Sequence, residues 1–252
     1  LSEGDAPFYG YAALYVGWSL NYEILFYFIF AVALFLRSGV LFFVIVTLLA
    51  LVFITPFYFD EKLTVSPYRV FDVPARFLAL SSNPMMMNFV LGIITAYIYS
   101  LVRGKIPKFA VVLIAIISMA LMINVLSTYS GGHDVIKVGV PAAILLFGMV
   151  VAEDAKVIKF PSVFVWLGNI SFSIYLVHPL IISLLDKYIP IPVSPGAFYG
   201  KFIFLIGCVV VISNYWYKNI ELPFQNLGLL VIRKMQSFSA EYFSWSRYIR
   251  VR

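Results

Sequence analysis

Two ionisable side chains interrupt long apolar runs of this sequence, and they are its strongest candidates for chemistry. Glu23 lies in a run that begins near Trp18, and His178 lies in a later one. A charged group in membrane hydrocarbon costs about 2.5–3.5 kcal/mol or more, so an intramembrane ionisable residue is a functional candidate by default. A carboxylate in such a low-dielectric place can orient an imidazole or hold an arginine.

Hydroxyl groups are predicted to accompany both residues. At 100° per residue, Ser19 and Tyr27 fall on the helical face of Glu23. The same count places Gly168, Ser171 and Tyr175 on the face of His178. Serine and tyrosine hydroxyls can donate to a substrate or to a developing oxyanion. Pro179 directly follows His178 and is predicted to kink that helix.

Structural roles remain alternatives for both residues. A buried glutamate or histidine can simply hydrogen-bond to a neighbour or to the backbone of another helix. The nearest such neighbours are Asn21 and Tyr22 for Glu23, and Ser171 and Tyr175 for His178. No metal site is predicted, because the His133–Asp134 pair is too small a ligand set. The sequence also has no P-loop, Rossmann fingerprint or Gly-x-Ser-x-Gly motif.

The composition requires a membrane. Of the 252 residues, 62% are hydrophobic and only 12% are charged, and the mean hydropathy is +0.96. Soluble domains are about 45–50% apolar and about 25% charged. This excludes a soluble globule, a disordered chain and a collagen. The single cysteine, Cys208, excludes a disulfide scaffold.

Seven apolar runs predict an all-α, polytopic membrane helical bundle of about seven transmembrane helices. A bilayer core needs roughly 20 apolar residues of helix. β-Barrel strands would alternate apolar and polar residues, whereas these runs are continuous. The runs lie near residues 14–36, 39–58, 85–102, 109–128, 138–152, 162–185 and 199–217. They form one membrane domain, 1–224, followed by a tail, 225–252.

The basic residues predict the orientation of the chain. Alternate connections and the C-terminal tail hold twelve lysines and arginines, and the opposite connections hold six. By the positive-inside rule the first set is cytoplasmic, so the C-terminus is cytoplasmic as well. Glu23 and His178 then both lie about 8–12 Å below the outer membrane surface. We therefore predict that they face each other or a common cavity.

The tail is predicted to be a basic amphipathic helix on the cytoplasmic leaflet. Apolar residues recur at spacings of four and three, and the basic residues fall mostly off that stripe. The stripe consists of Val231, Met235, Phe238, Tyr242, Trp245 and Ile249. A coiled-coil seam and a disordered tail are the alternatives.

Two segments resemble motifs of the acyltransferase type 3 family of integral membrane acyltransferases. Residues 18–27, WSLNYEILFY, are similar to its WSL–x–x–E–x–x–FY helix. Residues 167–178, LGNISFSIYLVH, are similar to its LGxxSYSLYLxH helix, with Phe172 in place of the usual tyrosine. Weaker similarities follow in family order at residues 74–76, 140–142 and 220–223.

The resemblance implies about ten helices and an acyl donor delivered from the cytoplasm, usually acyl-CoA. It implies an acceptor hydroxyl on an extracytoplasmic glycan, lipid or antibiotic. It also implies a bacterial inner-membrane location, acyl-CoA as co-substrate and no bound cofactor or nucleic acid. The expected activity is O-acyl transfer, such as polysaccharide O-acetylation.

The resemblance also implies a catalytic base, a histidine in the family's first helix. The chain begins at Leu1, just before the family's middle helix, so about three helices and that histidine are expected to be missing. No catalytic residue is assigned, and we expect this chain alone to be inactive. The residues expected to line or support the pocket are Ser19, Glu23, Tyr27, Arg76, Ser171, Tyr175 and His178.

Two other functions fit the same buried residues. A transporter or flippase would use Glu23 and His178 as a substrate or proton pathway. Transporters often contain inverted repeats, and none is evident here. An inactive, truncated remnant is the other alternative. The sequence does not identify the acyl group, the acceptor or the oligomeric state.

Overall fold

All regular elements in the described part of the chain are helices, which confirms the all-α prediction. The computed structural model describes residues 6–8, 15–36, 38–59, 62–69, 75–129, 132–189 and 194–238, with the backbone alone for residues 15 and 234–238. These residues belong to two compact units, unit one (Leu1–Pro161) and unit two (Ser162–Arg252). Each unit is described by itself below.

The described residues form six α-helices in unit one and four in unit two. Those of unit one are α1 (Trp18–Ala33), α2 (Val40–Tyr58), α3 (Arg76–Ser81), α4 (Met87–Val102), α5 (Lys108–Ser127) and α6 (Val140–Asp154). Those of unit two are α7 (Ser162–Asn169), α8 (Ser171–Tyr188), α9 (Pro195–Trp216) and α10 (Leu222–Phe238).

Five to six helical segments are long and apolar enough to cross a membrane. The five continuous ones are Val40–Tyr58, Pro84–Val102, Lys108–Ser127, Val135–Asp154 and Pro195–Arg233. The sixth is the bent pair of α7 and α8. The first predicted run also forms a helix, α1, but its 16 residues are fewer than the roughly 20 that a straight span needs.

Two predicted helix features differ from the structure. The bend of 66° lies between Asn169 and Ser171, whereas Pro179 lies inside α8. Glycine and asparagine are poor helix formers, and the Gly168–Asn169 pair explains why α7 ends there. Gly168 consequently lies across the bend, so the 100° count does not place it on the face of His178.

The last span is longer than the sequence predicts. It was expected to end near residue 217, but the helical segment runs from Pro195 to Arg233 without a break. The first half of the predicted tail is therefore a direct continuation of the span, through Phe238 in α10. Residues 239–252, which carry the rest of the predicted amphipathic stripe, lie outside the described residues.

Two π-helical turns widen these helices, and each ends two residues before a proline. They are Val135–Gly139, which precedes Pro141, and Tyr217–Glu221, which precedes Pro223. A proline ring clashes with the carbonyl four residues earlier and donates no N–H. In both cases that carbonyl lies inside the π turn, which explains why the wider turn forms there.

The core of unit one is built on one face each of α1 and α2. Spacings of three and four place the buried residues of each helix in a single stripe. Those of α1 are Trp18, Tyr22, Leu25, Ile29 and Ala33, and those of α2 are Val44, Leu48 and Val52. Aromatic stacking of Phe26 on Phe89, with ring centroids 4.3 Å apart, joins α1 to α4.

The remaining helices of unit one pack through small residues. A Cβ at Gly148 of α6 would collide with the buried Ser118 hydroxyl of α5. Close approach through small residues is the usual way that helices associate in lipid, where burial of apolar surface drives little. α4 and α6 run parallel, because Asn88 meets Gly139 at one end and Arg103 binds Asp154 at the other, 3.1 Å away.

Unit two is organised around an antiparallel pair, α8 and α9. Its buried core consists of Val177, Ile181 and Val209. At one end Lys201 Nζ lies 2.7 Å from Asp186 Oδ1. At the other end Trp166 of α7 donates to Asn214 near the end of α9, and Ser173 of α8 donates to Glu221 beyond it.

Candidate functional site

The polar face predicted for α1 is present, and it points away from the packed core. Ser19 and Glu23 are half-buried, and Tyr27 further along the same face is 60% exposed. The core stripe of α1 begins at Trp18 and includes Tyr22, about 100° around the helix from Glu23. The three predicted residues therefore share a face beside the core stripe, which the described residues of unit one cover in part at Ser19 and Glu23 and leave exposed at Tyr27.

The Glu23 carboxylate makes no hydrogen bond or ion pair within the described part of the chain. One neighbour considered as its structural partner is occupied elsewhere, because Tyr22 donates from its hydroxyl to the Pro7 carbonyl at 2.8 Å. Among the described residues of unit one this carboxylate therefore has no partner, and an ionisable group in an apolar helix is a candidate functional group.

The polar face predicted for α8 is also present. Ser171 is exposed, while Tyr175 and His178 are half-buried. The rings of Tyr175 and His178 lie 6.1 Å apart. These residues lie on a different side of α8 from Val177 and Ile181, which pack against α9.

The hydrogen bond of His178 determines which ring nitrogen is available to accept a hydrogen bond from a ligand. His178 Nδ1 lies 3.0 Å from the Ile174 carbonyl oxygen. A carbonyl can only accept, so Nδ1 carries the proton in this bond. In a neutral ring Nε2 then presents its lone pair away from the helix backbone, which suits a group that accepts a proton or orients a hydroxyl.

The predicted meeting of Glu23 and His178 stays a prediction. Glu23 belongs to unit one and His178 belongs to unit two. Within unit one, Arg76 is exposed at the first residue of α3. Its predicted contact with an acceptor glycan also remains a prediction.

A second glutamate, Glu221, was not predicted as a site residue. It ends the π turn before α10, and Ser173 donates to its Oε2 at 2.5 Å. Gln225 donates to its Oε1 at 3.0 Å. Ser173 is fully buried. Glu221 belongs to the family-like segment 220–223, but its contact with Ser173 spans 48 residues and leaves no local periodic signal.

A further polar cluster surrounds His133 at one end of unit one. The His133 ring lies 5.1 Å from the Trp18 ring, and its backbone N–H donates to the Tyr68 hydroxyl at 2.5 Å. Burial against the aromatic ring lowers the pKa of His133 below its usual value. The imidazole is therefore neutral at pH 7.

Asp134 ends the same loop and caps the following π turn. Its Oδ1 accepts from the backbone N–H groups of Ile136 and Lys137 at 2.9 and 2.8 Å. No group of three or more potential metal ligands occurs among the described residues.

A cleft of about 350 Å³ opens beside this cluster, between α4 and the segment that leads into α6. His133, Asp134 and Asn88 supply its polar lining. Leu91, Val138 and Leu146 supply apolar walls. Local sequence patterns did not predict this cleft, because its two walls are about 50 residues apart in the chain.

Comparison with known proteins identifies one family. The family model described as an acyltransferase domain matches residues 3–233, which is most of the chain. No curated protein and no solved structure gave a significant match.

Proposed function

This chain belongs to the acyltransferase type 3 family of membrane acyltransferases, and we propose that it serves O-acyl transfer, with acetyl as the expected group. The donor is a cytoplasmic acyl-CoA, and the acceptor is a hydroxyl on an extracytoplasmic glycan or lipid. The observation that carries the proposal is the family match over residues 3–233. The proposed location is a bacterial inner membrane, with the C-terminus in the cytoplasm.

The proposed reaction exchanges one bond for another. The acceptor oxygen attacks the thioester carbonyl, forming a C–O bond as the C–S bond breaks. A base takes the hydroxyl proton, and the departing thiolate is protonated to give free coenzyme A. Donors aimed at the carbonyl oxygen stabilise the charge that develops on it.

The described residues fit supporting roles in this reaction. Glu23 is a half-buried carboxylate with no partner among the described residues, and it suits holding an arginine or orienting an imidazole. Tyr27 and Ser171 present exposed hydroxyls that can donate to an oxyanion or an acceptor. His178 has its Nδ1 committed to the backbone, which fixes the ring so that Nε2 can position a hydroxyl.

The catalytic base is not assigned to a residue of this sequence. The sequence has two histidines, His133 and His178, and neither matches the family's base position. We therefore expect the purified 252-residue chain to transfer no acyl groups by itself. Transfer by that chain would contradict the placement of the base that the resemblance implies.

Vesicles with a defined orientation test the proposal. The natural gene product is reconstituted, with acetyl-labelled acetyl-CoA on one side and an alkyl glycoside acceptor on the other. We expect labelled ester on the acceptor, with one free thiol released per ester formed. Uptake of solute without any acyl exchange would instead support a transporter and overturn the proposal.

A further inference from the structure

Two cavities adjoin at the His133 end of unit one, and apolar atoms form most of the lining of both. The cleft between α4 and α6, the apolar cavity, has a volume of about 350 Å³. A second cavity of about 260 Å³ is named the polar cavity for its Thr128, Tyr129 and Lys137 side chains, although Val125 and Val138 line it as well. Asp134 and Val138 line both cavities. An occupant that extends from one cavity into the other would therefore pass these two residues.

The shape and walls of the apolar cavity fit a hydrocarbon chain. Its lining extends along the helix from Val138 to Leu146, which corresponds to about 12 Å at 1.5 Å per residue. Small residues, Gly92, Ala142 and Ala143, leave the space between the walls open. Both walls belong to segments that are long and apolar enough to span a membrane.

One polar side chain in the lining is available to a ligand. The half-buried Asn88 amide lines the apolar cavity and makes no hydrogen bond among the described residues. Asn88 Oδ1 lies so close to Gly139 that a Cβ there would collide with it. A bound hydroxyl could accept from this amide or donate to it.

The polar cavity offers both donors and an acceptor for hydroxyl groups. Lys137 is exposed and makes no ion pair within the described ranges. Asp134 uses only Oδ1 to cap the π turn, so Oδ2 can accept from a ligand. This combination suits a hydroxyl-rich head group, since each hydroxyl both donates and accepts.

We propose that these cavities bind an amphiphile that is the acceptor of the acyl group. Its single hydrocarbon chain lies in the apolar cavity, and its hydroxyl-rich head lies in the polar cavity. The role as acceptor rests on the proposed function, whereas the binding itself is measured without transfer. Membrane lipid filling the cleft without regard to head group is the alternative that the test must separate.

Photolabelling of the natural gene product in lipid nanodiscs tests the site directly. The probe is a dodecyl glucoside with a diazirine at the end of its chain. We expect labels on the segments that line the apolar cavity, around residues 91–92 and 138–146. Unlabelled dodecyl glucoside should compete for this labelling, whereas glucose or dodecane alone should compete at least about tenfold more weakly.

A substitution that adds volume at the wall of the apolar cavity tests this cavity directly. Gly92 lines the apolar cavity, and a Cβ there would meet no atom within 4 Å, so Gly92→Leu adds volume at the cavity wall without a clash at Cβ. We expect it to lower labelling by about tenfold, since the chain loses the burial of about two methylenes. The matched control is Gly207→Leu, another helical glycine with open space that lines neither cavity. The control should leave labelling unchanged.

A second pair of variants tests the head group. Lys137→Met removes a charged donor from the polar cavity and should weaken competition by dodecyl glucoside by about tenfold. Lys62→Met, at an exposed lysine that lines neither cavity, should leave competition unchanged.

Three outcomes would overturn the inference. Labels outside the two cavities would place the chain elsewhere. Equal competition by dodecane and dodecyl glucoside would show that any lipid chain fills the cleft. Labelling unaffected by Gly92→Leu would exclude the apolar cavity. If labelling behaves as expected but no ester ever forms on the probe, the binding site stands and the proposed transfer to it fails.

Discussion

Two glutamates lie in apolar helices of this chain, and their surroundings are opposite. Glu221 receives hydrogen bonds on both carboxylate oxygens, from Ser173 and Gln225. Glu23 receives none within the described residues and lies on a face of α1 that the described residues of unit one leave partly open. Both groups carry the cost of placing a carboxylate among apolar helices, but only the bonds of Glu221 offset it inside its own unit.

The difference separates a structural carboxylate from a functional one. Glu221 joins α8 to the segment between α9 and α10, so its bonds contribute to folding. Glu23 makes no such bond among the described residues, so its carboxylate is available to a partner outside the core of unit one.

Glu23→Gln should abolish most activity while leaving the fold intact. The amide keeps the size of the side chain but loses its charge, and we expect acyl transfer by the natural gene product to fall by about 100-fold or more. The thermal midpoint should stay within about 2 °C, because no hydrogen bond is lost. A lower midpoint with unchanged transfer would make Glu23 the structural glutamate.

Glu221→Leu should lower the stability of the protein, in contrast to Glu23→Gln. It leaves the buried Ser173 hydroxyl without its acceptor, and we expect the free energy of unfolding to fall by about 1–3 kcal/mol. Adding Ser173→Ala should recover part of that loss, because the unsatisfied hydroxyl is then absent. Unfolding in denaturant measures both variants. Equal stability of the wild type and Glu221→Leu would contradict the structural role.

Tyr27→Phe tests whether the open face of α1 matters beyond Glu23. Removing one hydroxyl donor should lower transfer by about threefold to tenfold, the range expected for a neutral hydrogen bond. Tyr97→Phe is the matched control, because Tyr97 is also an exposed tyrosine of a membrane helix, at 55% against 60%. Equal losses in both variants would point to a general effect of exposed tyrosines.

Acidification should produce a small effect on stability that comes from His133. Burial lowers its pKa in the folded protein, so between that value and about 6.5 the unfolded chain binds the proton more readily. Stability should therefore fall as the pH drops from 7.5 to 5.5. His133→Phe keeps an aromatic ring beside Trp18 and should remove this dependence, which thermal midpoints at the two pH values would show. An unchanged slope in His133→Phe would assign it to another group.

Local sequence periodicity predicted the open face of α1 and the positions of the helices. Ser19, Glu23 and Tyr27 are four residues apart, and the 100° rule is reliable within an unbroken helix. The rule failed at Gly168, where the helix ends and bends by 66°. The Gly168–Asn169 pair marks the end of α7 and the bend, whereas Pro179, which was expected to kink α8, lies inside that helix.

Contacts between distant helices could not be predicted in the same way. Ser173 and Glu221 are 48 residues apart, and their meeting depends on how α8 packs beside the segment after α9. The cleft beside His133 likewise forms only because Asn88 and Gly139 come together. Single-sequence patterns report which face of a helix is polar, but they do not report which other helix covers it.

The prolines that follow the two π turns constrain which sequence changes the protein can tolerate. A π turn contains one residue more than an α turn, and the wider turn absorbs that residue while the helix beyond it keeps its phase. Removing one residue from the regular part of these helices would instead rotate everything beyond it by about 100°. Removing one residue inside either π turn would let an α turn form there, and the proline that follows would then clash with the carbonyl four residues earlier. Single-residue deletions should therefore be tolerated better inside these turns than elsewhere in the same helices, and best when the following proline is replaced by alanine.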